Sequence, residues 1–407
     1  MTASVTGLLL ILLLGLVSAQ TESWKSCEFD PAKDLNYTQV LYLHPNETSF
    51  LFPVTPDKLL LSGDGPVLRV ACPSGTISIR DKVTSLSSVL VECMGGKAVR
   101  VSGTFFFGPL SDIGCTGVPA DAVAQLTDRK TATGKKLCEI GYQVGPLDFV
   151  PVVDSIAVGH APNGGLFPRW VHYGLVNVLQ TRPTDSEAVT LKKGELSQDL
   201  AYELVYDIGE QRNSFFEDFE DEEIVEKYLP ENGTEYFVAA QLISREDLYY
   251  EVQQSATAFY ELTTPAWQSV ANGNWKLVSQ AVRELAQQNL ADIQVWSGIY
   301  LTLYLPNADD KNVYVKLPER LRPAQFLFKY VLDQSNKRGV VFVTVNNPFL
   351  TAATPNNVIC EPLPSCDLKY PEFADFAKGY TYCCSLKDFK RHAQKLGLPT
   401  FQDIETF

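Results

Sequence analysis

Nine cysteines constrain this chain more than any other feature, because of where they fall. Cys27, Cys72, Cys93, Cys115 and Cys138 lie before residue 140, Cys360, Cys366, Cys383 and Cys384 lie after residue 359, and none lies between. Cysteines at such density persist as cross-links in oxidising compartments and are kept reduced in the cytosol. The N-terminus agrees with the oxidising case. An apolar run at 8–17, too short to span a bilayer comfortably, precedes the small-residue pattern Val17-Ser18-Ala19. It reads as a secretory signal peptide cleaved after Ala19, although no Lys or Arg precedes the run. The expectation is a secreted, extracellular protein with no membrane span: a disulfide-stapled N-terminal module, a cysteine-free middle and a stapled C-terminus. The odd count leaves one cysteine free or paired between chains. Zinc is disfavoured, since His44, His160, His172 and His392 stand at no ligand spacing from the cysteines. Asn36, Asn46 and Asn232 open glycosylation sequons, which mark surface positions in a secreted chain.

Charge bears on function. The formal net charge is -14, whereas proteins that hold phosphates usually carry a positive balance or a strong basic patch. Basic groups are scattered along the chain: Arg129-Lys130, Lys135-Lys136, Lys192-Lys193, Lys337-Arg338, and a cluster from Lys387 to Lys395. Acidic groups concentrate at 217–226, a solvated loop or helix face; the spacing of a calcium loop is absent there. Taken alone, charge argues against a nucleic-acid ligand.

Short apolar segments at 58–61, 67–72, 76–80 and 89–93, separated by Gly, Pro, Asp and Ser, predict a β-rich region up to about residue 145. The most legible stretch runs from 236 to 290. A buried strand is expected at 235–243 and a second at 256–262, followed by a turn containing Pro265 and Gly273. A helix is expected from Trp275 to Asn289, where Val278, Val282 and Leu285 recur at helical spacing. Further strands are expected at 293–304, 313–316, 326–331 and 340–346.

Several motifs within this stretch and at the C-terminus resemble one family. Ala256-Thr257, Pro265, Trp267-Gln268 and Asn272-Gly273-Asn274-Trp275, with Asn346-Asn347, Ile359-Cys360 and Gly379-Tyr380-Thr381-Tyr382-Cys383-Cys384, are similar to the secreted arthropod branch of the DNA/RNA non-specific endonucleases. The similarity is good from about 236 to 389. It implies an α+β fold with a ββα-metal nuclease core in a mixed, mainly antiparallel sheet, at 151–407, behind a β-rich N-terminal module at 20–150. It also implies a chemistry. Phosphodiester hydrolysis needs a base to take a proton from water and a divalent cation to stabilise charge on the phosphate. The family places an Arg-Gly-His triplet on the first strand, with the His as base, an Asn before the helix as metal ligand, and a Glu and an Arg one turn apart on the helix.

On this sequence the triplet falls on Ala239, Ala240 and Gln241, with the downstream Leu242 and Asp247 fixing the register. The metal-binding Asn falls on Ala271 and the helix Glu on Ser279, while the helix Arg is retained as Arg283. A family Asn and Gln on the second strand and turn are Leu262 and Ala266. Gln241 cannot take a proton near neutral pH. Loss of general-base catalysis costs roughly 10² to 10⁴ in rate. Ala271 offers a methyl group where a cation needs oxygen.

These residues predict a pseudo-endonuclease: a secreted protein that binds DNA or RNA through Arg283 and Arg245, with no cofactor, and magnesium only if residual activity survives. Two alternatives stand beside it. One is an active Mg-dependent endonuclease with Asn272 as substitute ligand or His172 as a migrated base. The other is a binder of a non-nucleic-acid ligand, which an apolar pocket at the old site would favour. Polyanion binding would require the acidic tract to lie on a different face from the groove. Family resemblance allows a homodimer, but the sequence gives no interface.

Overall fold

The computed structural model describes residues 26–36, 39–73, 75–117, 121–146, 148–160, 166–178, 190–194, 197 and 199–407. The signal peptide expected at 1–19 lies outside these residues. Among them, no helix is long and apolar enough to cross a membrane.

The N-terminal part is built from strands, as expected. A five-stranded antiparallel sheet runs in the order Leu41–Leu43, Pro66–Ala71, Ser88–Gly95, Ala98–Val101, Phe107–Pro109, with smaller two- and three-stranded sheets beside it. Two disulfides, Cys27–Cys93 and Cys72–Cys115, cross-link it. Two more, Cys360–Cys384 and Cys366–Cys383, tie down the C-terminus. The odd cysteine is Cys138, free and fully buried. Asn36, Asn46 and Asn232 are all exposed.

A nine-stranded sheet organises the rest. Eight strands follow one another in space: Val123–Lys130, Lys136–Val144, Asp148–His160, Leu166–Leu175, Ile293–Thr302, Ala324–Asp333, Arg338–Val345 and Thr381–Cys384. These pair antiparallel; Glu405–Thr406 alone adds in parallel, to Arg338–Val345. The fold is therefore α+β with a mixed, mainly antiparallel sheet. The expected boundary at residue 150 falls inside this sheet, at the hairpin joining Lys136–Val144 to Asp148–His160. The N-terminal strands also share a core with the central part of the chain: Tyr142 donates to the Val252 carbonyl at 2.6 Å and Phe52 stacks on Tyr250.

The sheet separates two apolar layers. Along Ala324–Asp333, alternate side chains point to opposite faces. Leu327 and Val331 join the larger core, while Phe326, Phe328, Tyr330 and Leu332 join the smaller. The strand is buried throughout, which explains its nearly unbroken apolar sequence. The C-terminal helix Leu386–His392 buries Phe389 in the smaller layer.

The acidic tract is helical and carries no calcium-loop geometry. Ile208–Phe219 is capped by Asp207, and Glu222–Tyr228 is capped by Asp221, whose carboxylate accepts the Glu223 and Ile224 N–H groups. Arg212 pairs with Glu222 and Glu226, and Asp218 with Lys316. Phe215 packs within 6.1 Å of both Phe237 and Trp267, ring centroid to centroid. The acidic helices therefore sit on the same side of the large sheet as the ββα unit, contrary to the arrangement that polyanion binding at that unit would require.

Candidate functional site

The ββα unit begins with the strand Phe237–Gln241 and returns along Thr263–Trp267, with Ala239 opposite Pro265 and Gln241 opposite Thr263. The second strand thus lies beyond the expected 256–262, which instead carries turns following a short helix at Glu251–Ser255 and a single 3₁₀ turn at Tyr260–Leu262. Pro265 has no N–H, so a strand around it is tolerated only at an edge; in a two-stranded sheet both strands are edges. A short helix, Gln268–Asn272, then leads into the long helix Asn274–Asn289, as the apolar spacing predicted.

Two side chains lock this helix in place. Trp275 Nε1 donates to the Gln241 carbonyl at 2.8 Å, tying the helix to the end of the first strand. Asn274, buried, donates to the Gly379 carbonyl at 2.8 Å. Gly379 has a φ of +87°, and a Cβ there would stand 2.8 Å from Val270 Cγ1, so only glycine fits this turn.

The positions expected to hold base and cation carry other groups. Gln241 ends its strand with its side-chain amide nitrogen buried and, among the described residues, without an acceptor. Ala271 is half-buried against the core. Ser279 is buried, and its hydroxyl bonds back to the Trp275 carbonyl at 3.5 Å, one turn earlier on its own helix. Asn272 is exposed at the end of the short helix. Leu262 and Ala266 are 1% and 0% exposed and belong to the larger core. A magnesium ion needs several hard oxygen donors in octahedral array. A methyl group, an amide and a hydroxyl committed to its helix do not fit it. Among the described residues, no group of three or more His, Cys, Asp or Glu is placed to hold a metal.

Arg283 is enclosed. Nη1 donates to Asp247 Oδ1 at 2.8 Å, and Nη2 lies 2.5 Å from Glu246. Asp247, with no exposed side-chain surface, also accepts from the Tyr173 hydroxyl at 2.7 Å and lies 3.5 Å from the ammonium of Lys329, itself wholly buried. Lys329 further donates to Tyr173 at 2.8 Å and to the Leu242 carbonyl at 3.1 Å, and lies over the rings of Trp275 and Tyr173. Burial pushes Lys329 below the usual lysine range, against the pull of Asp247. Arg283, expected to meet substrate, is thus part of a buried charge network, and two carboxylates neutralise it. Arg245 is half-exposed and, among the described residues, makes no ion pair. It remains the freer cation of the two expected to meet substrate.

His172 stands apart. Nδ1 lies 2.6 Å from Asp154, Nε2 lies 2.9 Å from Gln294, and the ring stacks on Trp296. Tyr173, next on the same strand, points to the opposite face, where it meets Asp247. The sheet therefore lies between His172 and the Asp247–Arg283 network, and it cannot serve that network as a migrated base. Tyr173 and Lys329 were not anticipated from sequence. The one available signal was a lysine inside an otherwise apolar strand.

Residues 209–389 match the family model described as DNA/RNA non-specific endonuclease. Salivary protein Tsal2A of Glossina morsitans morsitans is 24% identical over 359 residues, covering 88% of this chain and 85% of that protein. The salivary endonuclease of Lutzomyia longipalpis is 33% identical over 155 residues, 38% of this chain and 37% of that one. A chain in the crystal structure of the EndoG/EndoGI complex aligns over 62% of this chain and 86% of its own length, at 13% identity and a TM-score of 0.35.

Proposed function

Taking as premise that residues 209–389 are a DNA/RNA non-specific endonuclease domain, we propose that this protein is a secreted nucleic-acid-binding protein whose hydrolytic site has been lost. One observation carries the reading: Gln241, Ala271 and Ser279, where the resemblance would place proton acceptor and cation ligands, offer an amide, a methyl group and a buried hydroxyl bonded to its own helix. Among the described residues, no group of three or more His, Cys, Asp or Glu is placed to hold a cation there. Binding a polyanion requires neither proton acceptor nor cation ligands, since phosphate contacts are made by cations and backbone donors. The salivary origin of the similar proteins and the disulfide-rich ends support secretion.

The test uses the purified full-length chain. Gel-shift titrations with single-stranded DNA, duplex DNA and RNA at physiological salt are expected to show binding. Incubation of plasmid and total RNA with magnesium or manganese is expected to leave both intact. Absence of any shift removes the binding function, and cation-dependent degradation removes the loss of catalysis.

A further inference from the structure

One hairpin that carries basic groups packs against the basic C-terminal segment. The turn between the strands Val123–Lys130 and Lys136–Val144 packs on the C-terminal loop. A Cβ at Gly397 would stand 2.8 Å from Thr133 Oγ1, Trp170 Nε1 donates to the Leu396 carbonyl at 2.8 Å, and Leu137, Leu396 and Leu398 share one apolar layer. Lys135, at the end of that turn, is thereby brought beside the segment around Lys395, whereas Lys130 and Lys136, opposite each other across the hairpin, point to the other face from Leu137. Between the helix Leu386–His392 and the residues after Pro399 lies a cleft of about 570 Å³, lined by Lys387, Lys390, Arg391, Tyr330, Phe401 and Asp403 among others.

These cations are unusually free for so acidic a chain. Among the described residues, none of Lys130, Lys135, Lys136, Lys387, Lys390 and Lys395 has a carboxylate partner. Lys390 Nζ is hydrogen-bonded to Thr400, and Arg391 is paired with Asp388 at 3.0 Å. Asp388 is engaged by Arg391 and by the Glu361 N–H at 2.7 Å; Asp403 lies in the cleft wall, and Asp128 is exposed on the hairpin. Burial also pushes the Lys390 ammonium down, a cost that an adjacent anion offsets. Between residues 387 and 403, Lys387, Lys390, Arg391 and Lys395 stand against Asp388 and Asp403 alone, a local excess of positive charge that suits an anion. The ββα face does not: Arg283 is neutralised there and the acidic helices pack alongside.

We propose that this lysine-rich face, on the opposite side of the large sheet from the ββα unit, is the nucleic-acid-binding surface. Phosphates of a single strand lie against Lys387, Lys390 and Arg391, the track continues over Lys395 towards Lys135, and a base lies against Phe401. The proposal rests on the nucleic-acid-binding reading above and moves the site of binding. A strand is favoured over other polyanions because cations beside a half-exposed aromatic ring are the combination that holds single-stranded nucleic acid. The cleft volume is also of the order that encloses one small ligand unit.

Fluorescence anisotropy of a labelled 20-nucleotide single strand, titrated with full-length protein at several salt concentrations, tests it. Lys387→Ala, Arg391→Ala and Lys395→Ala, all at exposed positions, are each expected to weaken binding about fivefold and to reduce the salt slope by about 0.7 for each phosphate no longer neutralised. Phe401→Ala is expected to weaken strand binding while leaving competition by heparin unchanged. Lys82→Ala, in the N-terminal module, is the control for folding and bulk charge. If the wild type binds and the helix variants bind equally well, or if Arg245→Ala alone abolishes binding, the surface is misplaced although the function stands. If the wild type binds no strand even at 50 mM salt, the binding function itself fails. If Phe401→Ala is silent and heparin displaces the strand charge for charge, the face is a general polyanion site and the nucleic-acid assignment is overturned.

Discussion

Replacing Asp247 by Asn perturbs the protein at its most heavily charged buried point. The substitution keeps the shape and removes one negative charge from a side chain with no exposed surface. Lys329, equally buried, is left without a counter-charge, and Arg283 keeps only Glu246, whose side chain is 45% exposed. Breaking a buried pair by removing one partner costs about 3–5 kcal/mol, because the remaining charge stays desolvated. With an unfolding entropy of about 2.1 cal/mol/K per residue, that loss lowers the melting temperature of a chain of this size by roughly 4–6 °C. Scanning calorimetry of Asp247→Asn at pH 7 measures this directly. The double variant Asp247→Asn, Lys329→Met removes the stranded cation as well and is expected to regain roughly half of the loss. A single variant melting within 1 °C of wild type, or a double variant showing only the sum of two independent losses, would refute the network as described.

Three further outcomes are expected. Burial pushes the Cys138 thiol up to about 12, with Glu261 and Glu139 adding to the shift. The native protein should therefore give no reaction with a disulfide reagent at pH 8, and one thiol per chain should appear in denaturant; rapid native labelling would contradict its burial. Tyr42, Tyr142, Tyr173, Tyr330 and Tyr382 are all held above the ordinary phenol value of 10.0, chiefly by burial. Phenols raised in the folded state contribute stability that is complete below pH 10 and lost as pH climbs past it. Their absorbance change should then coincide with loss of circular dichroism, and reversible titration of every tyrosine near pH 10 with the fold intact would count against this. Finally, Gln241→His combined with Ala271→Asn is expected to create detectable magnesium-dependent plasmid nicking, roughly 10²-fold or more above the parent; nicking by the parent at the same rate would show that the native site is not disabled.

Much of the architecture was legible because local pattern and tertiary role agreed. The long helix Asn274–Asn289 announced itself by apolar residues on one face, and the strand Ala324–Asp333 by a run buried on both faces. The two clusters of cysteines cross-link within themselves, as their separation in sequence suggested. The return strand was misplaced because the apolar run at 256–262 resembles a strand, while Pro265, opposite Ala239, argues locally against one. Only knowledge that the hairpin has two free edges removes that objection. The charge network was illegible for a different reason. Tyr173, Asp247, Arg283 and Lys329 come from four separate elements, and a lone lysine in an apolar strand has no visible partner until the chain is folded. Arg283 was expected to face substrate because of its place on the helix. Its two carboxylate partners lie 36 and 37 residues earlier in the sequence, and a motif read one element at a time does not pair them.

The large sheet does more than support two apolar layers; it gives the molecule a polarity. Carboxylates crowd one side of it, on the helices Ile208–Phe219 and Glu222–Tyr228, and the cations Lys387, Lys390, Arg391 and Lys395 gather on the other, within a chain of net charge -14. Seen from afar by a nucleic acid, such a molecule repels; seen from its lysine side at close range, it attracts. Dissolved ions weaken the far field first, since the screening length is about 10 Å at 0.1 M, while contacts of a few ångströms survive until cations compete for the phosphates. The rate of association should therefore climb with ionic strength from a low starting value, crest, and only then decline, whereas a uniformly basic protein would show the decline alone.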